Sequence, residues 1–280
     1  MNKKKTSIIA YPYLAWSALF IVIPLIIVLF FSFTTKTDSG YSFSLENYKK
    51  LINLQYTNIF IKSLCLAFKS TLACLVIGYP VSYIISKMHA SKRNFLIMLF
   101  ILPMWMNFLL RTYAWLPILG KTGIINTLLI KLGISPISFL YNDGAVLLGM
   151  VYNFLPFMVL PIYTVLTKMD QDLLNAAHDL GASKTQVFTK VILPLSIPGI
   201  ISGITMVFMP SVSTFVISRL LGGGHYMLLG NLIEQQFTNM GDWNFGSAIS
   251  IFMMIIILIF MAITSKFENS DSKEGGGQLW

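Results

Sequence analysis

Charge is scarce in this 280-residue sequence. Asp, Glu, Lys and Arg together make up only 11% of it, against 55% hydrophobic residues and a mean hydropathy of +0.72. A soluble globule needs far more polar side chains to clothe its surface, so the composition places the chain in a bilayer. Cysteine is scarce too. Cys65 and Cys74 stand nine residues apart on one apolar stretch, too far for a disulfide between them on a helix, and they carry no information about redox compartment. The apolar runs contain no Asp or Glu, which argues against the intramembrane carboxylates of secondary carriers. No serine, cysteine or carboxylate falls in a pattern that pairs a nucleophile with a base, so catalysis is not expected. Gly120-Lys121-Thr122 imitates the end of a phosphate-binding loop, but position 115 is Trp where that loop needs Gly, and no strand precedes it. His89, His178 and His225 lie in separate loops without ligand spacing, so no metal site is expected.

What the chain has is apolar length. A span needs roughly 20 mostly apolar residues to cross about 30 Å of hydrocarbon. Six stretches qualify: Ile8 to Phe33, Ser63 to Ser86, Asn94 to Leu116, Ala145 to Thr167, Gly199 to Leu220 and Ser247 to Ser265. The first is too long for a signal peptide and lacks a small-residue cleavage site, so it reads as a retained span. Prolines inside the runs, Pro24, Pro80, Pro103, Pro156, Pro161 and Pro210, suit a helical bundle with bends. The fold class is therefore an all-α membrane protein with six transmembrane helices.

Basic residues give the orientation. Lys3, Lys4, Lys5, Lys87, Lys92, Arg93, Lys168, Lys184, Lys190, Lys266 and Lys273 fall on one side, which makes both termini cytoplasmic by the positive-inside rule. The net charge of +9 thus reflects topology, and no nucleic-acid partner is expected. Between Gly120 and Ser135 an amphipathic run predicts a short external helix. The segment from Gly222 to Gly246 reads as a polar external stretch, and Glu268 to Gly277 as a disordered tail.

The longest cytoplasmic connection predicts two short helices. Asp170 or Asp172 caps the first, Gly181 ends it in a left-handed conformation, Ser183 and Gln186 form a capping box for the second, and Pro194 is a stop. Leu173, Leu174 and Leu180 offer apolar anchors, and Ala176 with Ala177 a smooth face for another protein. The Ala177, Gly181, Ser183 and Val187 spacing also fits a DNA-binding helix-turn-helix, but spans on both sides keep such a loop out of a major groove. An amphipathic connector lying on the inner leaflet is the other alternative.

This run resembles the EAA loop of ABC importer permeases, whose pattern is Glu-Ala-Ala, three residues, Gly, nine residues, Ile, one residue, Leu-Pro. Ala176, Ala177, Gly181, Val191 in the Ile place, Leu193 and Pro194 match it, and Asn175 stands where the Glu would be. Ser63-Leu-Cys-Leu-Ala, Gly78-Tyr-Pro-Val, Arg111-Thr-Tyr-Ala-Trp, Gly123-Ile-Ile-Asn-Thr-Leu and Asp179-Leu-Gly-Ala-Ser extend the resemblance over nearly the whole chain, to the spermidine/putrescine branch. The resemblance implies a type I importer permease fold in a bacterial inner (plasma) membrane. It implies 1–7 as the cytoplasmic N-terminus, 8–266 as the permease domain with a coupling loop at 168–198, and 267–280 as a cytoplasmic tail.

It further implies that Asn175, Ala176, Ala177, Asp179, Gly181, Val191, Leu193 and Pro194 meet a cytoplasmic ATPase, which binds the ATP and Mg; this chain binds no cofactor. The other implied partners are a second, PotC-like permease subunit and an external polyamine-binding protein, besides membrane lipid. Permease of another small solute, or a secondary transporter, is the alternative. A cationic substrate needs acceptors and aromatic faces on its path. Arg111, Tyr113 and Trp115 near an outer gate, Asp143, Glu234 and Asp242 at the mouth, and Tyr152 in the fourth span are the candidates. Lys69 is expected to snorkel.

Overall fold

The computed structural model describes residues 12–37, 40–224 and 226–274, with side chains through Phe267. Lys3, Lys4, Lys5 and His225 lie outside the described residues. Five helices are long and apolar enough to cross a membrane: Pro12–Ser32, Leu54–Ser86, Phe108–Lys131, Asp143–Lys168 and Trp243–Phe267. A bent pair, Lys184–Leu195 followed by Ile197–Ser213 at 57°, makes a sixth when counted as one. The chain divides into two compact units. One comprises the described residues up to Phe60 with Leu232–Ile256, the other Ile61–Asn231 with those from Ile257 onward.

In the first unit, no residue in the most apolar window of Pro12–Ser32 is buried, a surface that belongs in hydrocarbon. A π turn at Ala18–Val22 passes the Ile23 amide to the Ala18 carbonyl. It sits just before Pro24, whose ring would clash with the carbonyl four residues back in a regular turn. The span runs into a hairpin of β1 (Thr34–Thr37) and β2 (Gly40–Phe43), in register Thr34 to Phe43; among the described residues it is the only sheet in an otherwise helical chain. The Thr34 carbonyl accepts from the side-chain amides of Asn47 at 2.9 Å and Asn244 at 2.7 Å. Of the stretch expected to be polar and external, the part from Leu232 onward lies in this unit: it continues the helix Leu229–Gln235, and a π turn at Gln236–Met240 ends at left-handed Gly241. Gln236 is buried there.

The second unit is built on Asp143–Lys168. Val146, Met150, Met158, Val159 and Ile162 of that helix are fully buried. Ile197–Ser213 lies against it through glycines. A Cβ on Gly199 would stand 3.0 Å from the Pro161 carbonyl oxygen and 3.1 Å from Ile162 Cα, and one on Gly203 2.7 Å from Met158 Sδ. Small residues are what allow two membrane helices to approach backbone to backbone.

Two expected spans are divided. Asn94 to Leu116 is not one helix: Ala90–Ile101 passes into a 3-10 turn at Leu102–Trp105, Met106 is extended, and Phe108–Tyr113 starts anew. Pro103 lacks an amide to continue the ladder, and Asn107 caps the restart by accepting from Leu109 and Leu110 amides at 2.9 and 3.2 Å. The Gly199 to Leu220 stretch ends its helix at Ser213, and Val216–Leu221 follows separately. Asn231 donates to the Phe215 carbonyl at 3.0 Å, satisfying the broken backbone. The short helix expected between Gly120 and Ser135 forms at Ile124–Lys131, inside the Phe108–Lys131 stretch counted above as a candidate span. The tail departs the other way: the last helix continues to Glu274, because nothing between the apolar run and Gly275 breaks a helix already nucleated.

Gly199→Leu drives a side chain into backbone and should lower stability by about 1–3 kcal/mol. Thermal unfolding in detergent is the measurement, with Gly224→Ala, where a Cβ meets nothing within 4 Å, as the control that leaves the transition in place.

Candidate functional site

The connection between Asp143–Lys168 and Ile197–Ser213 folds as a closed motif. Asp170 accepts the Asp172 amide at 2.9 Å and opens the helix Gln171–Asp179. At its far end Gly181 adopts φ +84, its amide donates to the His178 carbonyl at 2.9 Å, and the Ala182 amide reaches back to Ala177 at 3.1 Å. This is a Schellman closure, in which a left-handed residue satisfies carbonyls that a helix end leaves open. The next helix begins with the reciprocal capping box: the Ser183 amide donates to Gln186 Oε1 at 2.8 Å and the Gln186 amide to Ser183 Oγ at 3.3 Å.

Pro194 does not stop that helix. A π turn at Phe188–Ile192 hands the Leu193 amide to the Phe188 carbonyl, the device already seen before Pro24, and the chain bends only at Ser196. Ser196 is fully buried; its hydroxyl donates to the Leu193 carbonyl at 2.8 Å and lies 3.0 Å from the Tyr79 hydroxyl. Phe188 packs edge-on against Tyr79 and Tyr83. The bend is thus tied to the Leu54–Ser86 helix.

Leu173, Leu174 and Leu180, expected as anchors for a partner, divide. Leu174 is 5% exposed and joins Val187 and Ile192 in the same buried cluster as Met158, Ile162 and Leu166, so it holds the short helix down. Leu173 is 52% and Leu180 89% exposed. Asn175, Ala176, Asp179, Gly181, Leu193 and Pro194 are exposed, while Ala177 and Val191 are half-buried. Asn175 also lines a cavity of about 290 Å³ with Lys87, His178 and Lys184, and no carboxylate lines it.

Arg111 is buried within the chain. It is 6% exposed; its Nε donates to Asn153 Oδ1 at 2.8 Å and its Nη1 to the Pro103 carbonyl at 2.8 Å. Asn153, fully buried, is itself held by the Thr112 hydroxyl and the Gly149 carbonyl. The cation therefore clips the divided third stretch onto Asp143–Lys168 through neutral acceptors. Trp115 meets Tyr152 edge-on at 5.3 Å, and both line an open apolar cavity of about 400 Å³. Tyr113 is exposed.

Asp143, in the first turn of its helix, lies 3.5 Å from Lys62 Nζ, and Lys62 Nζ sits 3.9 Å from the Tyr226 ring centroid. Burial first, and then the Asp143 carboxylate, push the Tyr226 phenol well above its usual range. Asp242 is a helix cap, accepting the Phe245 amide at 2.9 Å, and Glu234 is half-buried in a helix of the same unit. The structure thus brings Arg111, Trp115 and Tyr152 together, and leaves Glu234 and Asp242 in the other unit. Lys62 and Asn153 escaped the sequence reading, and Tyr226 stood out there only as an aromatic near a span end. Asn153 carries a usable signal, a lone amide in the apolar run 151–155 that must find a partner; Lys62 carries none. Among the described residues, no three His, Cys, Asp or Glu side chains are grouped to hold a metal.

Residues 12–269 match the family described as binding-protein-dependent transport system inner membrane component. The chain is 40% identical over 253 residues to the spermidine/putrescine transport system permease protein PotB of Escherichia coli (strain K12), covering 89% of this chain and 92% of that one. To the PotB of Haemophilus influenzae it is 41% identical over 268 residues, covering 94% of each. Its fold is similar to that of a chain in a bacterial ABC transporter for the acidic polysaccharide alginate, with a TM-score of 0.82 at 16% identity and 95% of both chains covered.

Asn153→Leu leaves the buried Arg111 without its Nε acceptor and should cost about 1.5–3 kcal/mol. Leu174→Ala should cost about 2–5 kcal/mol as a cavity. Both are read as a lowered melting temperature of the detergent-solubilised protein.

Proposed function

As a member of the family of binding-protein-dependent transport system inner membrane components, the chain is a multi-pass permease subunit of an ABC importer in the inner membrane, and we propose that its substrates are polyamines. It is not itself the ATPase; the importer's ATPase and binding protein are separate components. The observation that carries the substrate reading is the 40–41% identity to PotB spermidine/putrescine permeases over about nine tenths of the chain.

We further propose that Gln171–Asp179 is the coupling helix, oriented to the cytoplasm by the distribution of basic residues. Its exposed Ala176 gives a partner backbone room to approach, Asn175 and Asp179 offer neutral and acidic contacts, and Leu180 projects as an apolar plug. The sequence from Gly181 through Val191, Leu193 and Pro194 then leads to the bend at Ser196. Closure of the ATPase pushes on this helix. Because Leu174 roots it in the core and Ser196 is tied to Tyr79, the push reaches Asp143–Lys168, Ile197–Ser213 and Leu54–Ser86 together, and the pathway alternates between its two faces. A second permease subunit, which we propose to be PotC-like, completes the pathway. Trp115 and Tyr152 supply aromatic faces toward it, with Tyr113 beside them, and Asp143, Glu234 and Asp242 supply acidic groups near the external mouth; Arg111 acts by holding the third stretch in place.

Uptake of radiolabelled putrescine or spermidine by proteoliposomes holding the complete complex should be ATP-dependent and saturable; uptake of a different solute, with no polyamine transported, would sink the substrate reading. Leu180→Asp should weaken retention of the ATPase roughly tenfold or more, from the loss of a buried leucine at the interface, without lowering the melting temperature of the permease. An unchanged ATPase yield would remove Leu180 from the interface.

A further inference from the structure

The Lys62 ammonium sits in an environment with a defined chemistry. Its Nζ is 3.5 Å from Asp143 Oδ1 and 3.9 Å from the centroid of the Tyr226 ring. A carboxylate together with an aromatic face is what a primary ammonium requires, one meeting its charge and the other its desolvated hydrogens. The ring is held in place. A Cβ at Gly222 would fall 2.6 Å from Tyr226 Cβ and Cγ, so only glycine admits the ring there. Its hydroxyl is buried and interacts with the Asp143 carboxylate, though not in ideal hydrogen-bond geometry, which keeps ring and carboxylate side by side. The cation is held loosely by comparison: Lys62 and Asp143 side chains are 46% and 66% exposed, and an ion pair in such surroundings contributes about 0.2–1 kcal/mol. A tethered ammonium held that weakly exchanges readily with a free one.

We propose that Asp143 and Tyr226 form a binding site for a primary alkylammonium group, that Lys62 occupies it as a built-in stand-in, and that the terminal ammonium of an incoming polyamine displaces Lys62 to enter the pathway. This rests on the polyamine reading above and names the residues that would first receive the substrate in the permease.

The test is the KM of putrescine uptake by the complete complex, with transport rates normalised to the amount of complex in the membrane. Lys62→Gln and Lys62→Met, the second keeping the apolar stem, both remove the competing cation and should lower KM about two- to fivefold. Asp143→Asn removes the acceptor and should raise KM, and the Lys62→Gln/Asp143→Asn double variant should match Asp143→Asn alone. A bridge that serves stability only would make the single variants shift KM in the same direction or not at all, and either result overturns the site. Wild-type complex that takes up no polyamine overturns the substrate reading and this site with it. Wild-type uptake combined with like-signed shifts overturns the site alone.

Discussion

The segment we propose as the coupling element hangs between two helices that touch backbone to backbone. Gly199 and Gly203 have no side chain to hold Ile197–Ser213 away from Pro161, Ile162 and Met158, and in hydrocarbon such close contact is the main source of helix association. The 168–197 connection therefore starts and ends on a rigid pair. A short helix standing alone would fray; this one is closed at both ends by caps and rooted by Leu174 in the same buried cluster as the pair. Force applied to its exposed side has little freedom to dissipate before it reaches the spans.

Polar groups follow the same economy, since an unsatisfied one in hydrocarbon costs several kcal/mol. Arg111 finds Asn153 and the Pro103 carbonyl; Asn231 serves the backbone where the fifth apolar stretch breaks; Asn47 and Asn244 share the Thr34 carbonyl. Each of these carbonyls is matched by a side-chain amide or guanidinium. The π turns before Pro24 and Pro194 solve the same problem within the backbone, by moving one hydrogen bond to the carbonyl five residues back.

Local rules read the coupling segment well. Asp170, Gly181, Ser183 and Gln186 act within a few residues of themselves, so capping chemistry alone placed both short helices and the turn between them. The same rules failed where the outcome depends on a distant partner. Leu173, Leu174 and Leu180 look alike in sequence, yet one is buried and the others face outward. That Arg111 is buried was not legible, because its partner Asn153 lies 42 positions away in the chain. Hydropathy alone joined 94–116 and 199–220 into single spans, since it counts apolar side chains and does not see where backbone hydrogen bonds are interrupted.

Composition by itself determined that the chain is a membrane protein of several helical spans, because too few polar residues remain to cover a water-exposed surface. Spacing from Ala176 to Pro194 determined the family, and the basic residues supplied an orientation to be expected. Tertiary structure alone decided which face of the coupling helix is free, that Arg111 is a clip, and that Lys62 lies on Tyr226 beside Asp143. Those facts depend on residues far apart in sequence arriving at one place, and pairwise distance across a folded chain is not encoded in any local pattern of residue types.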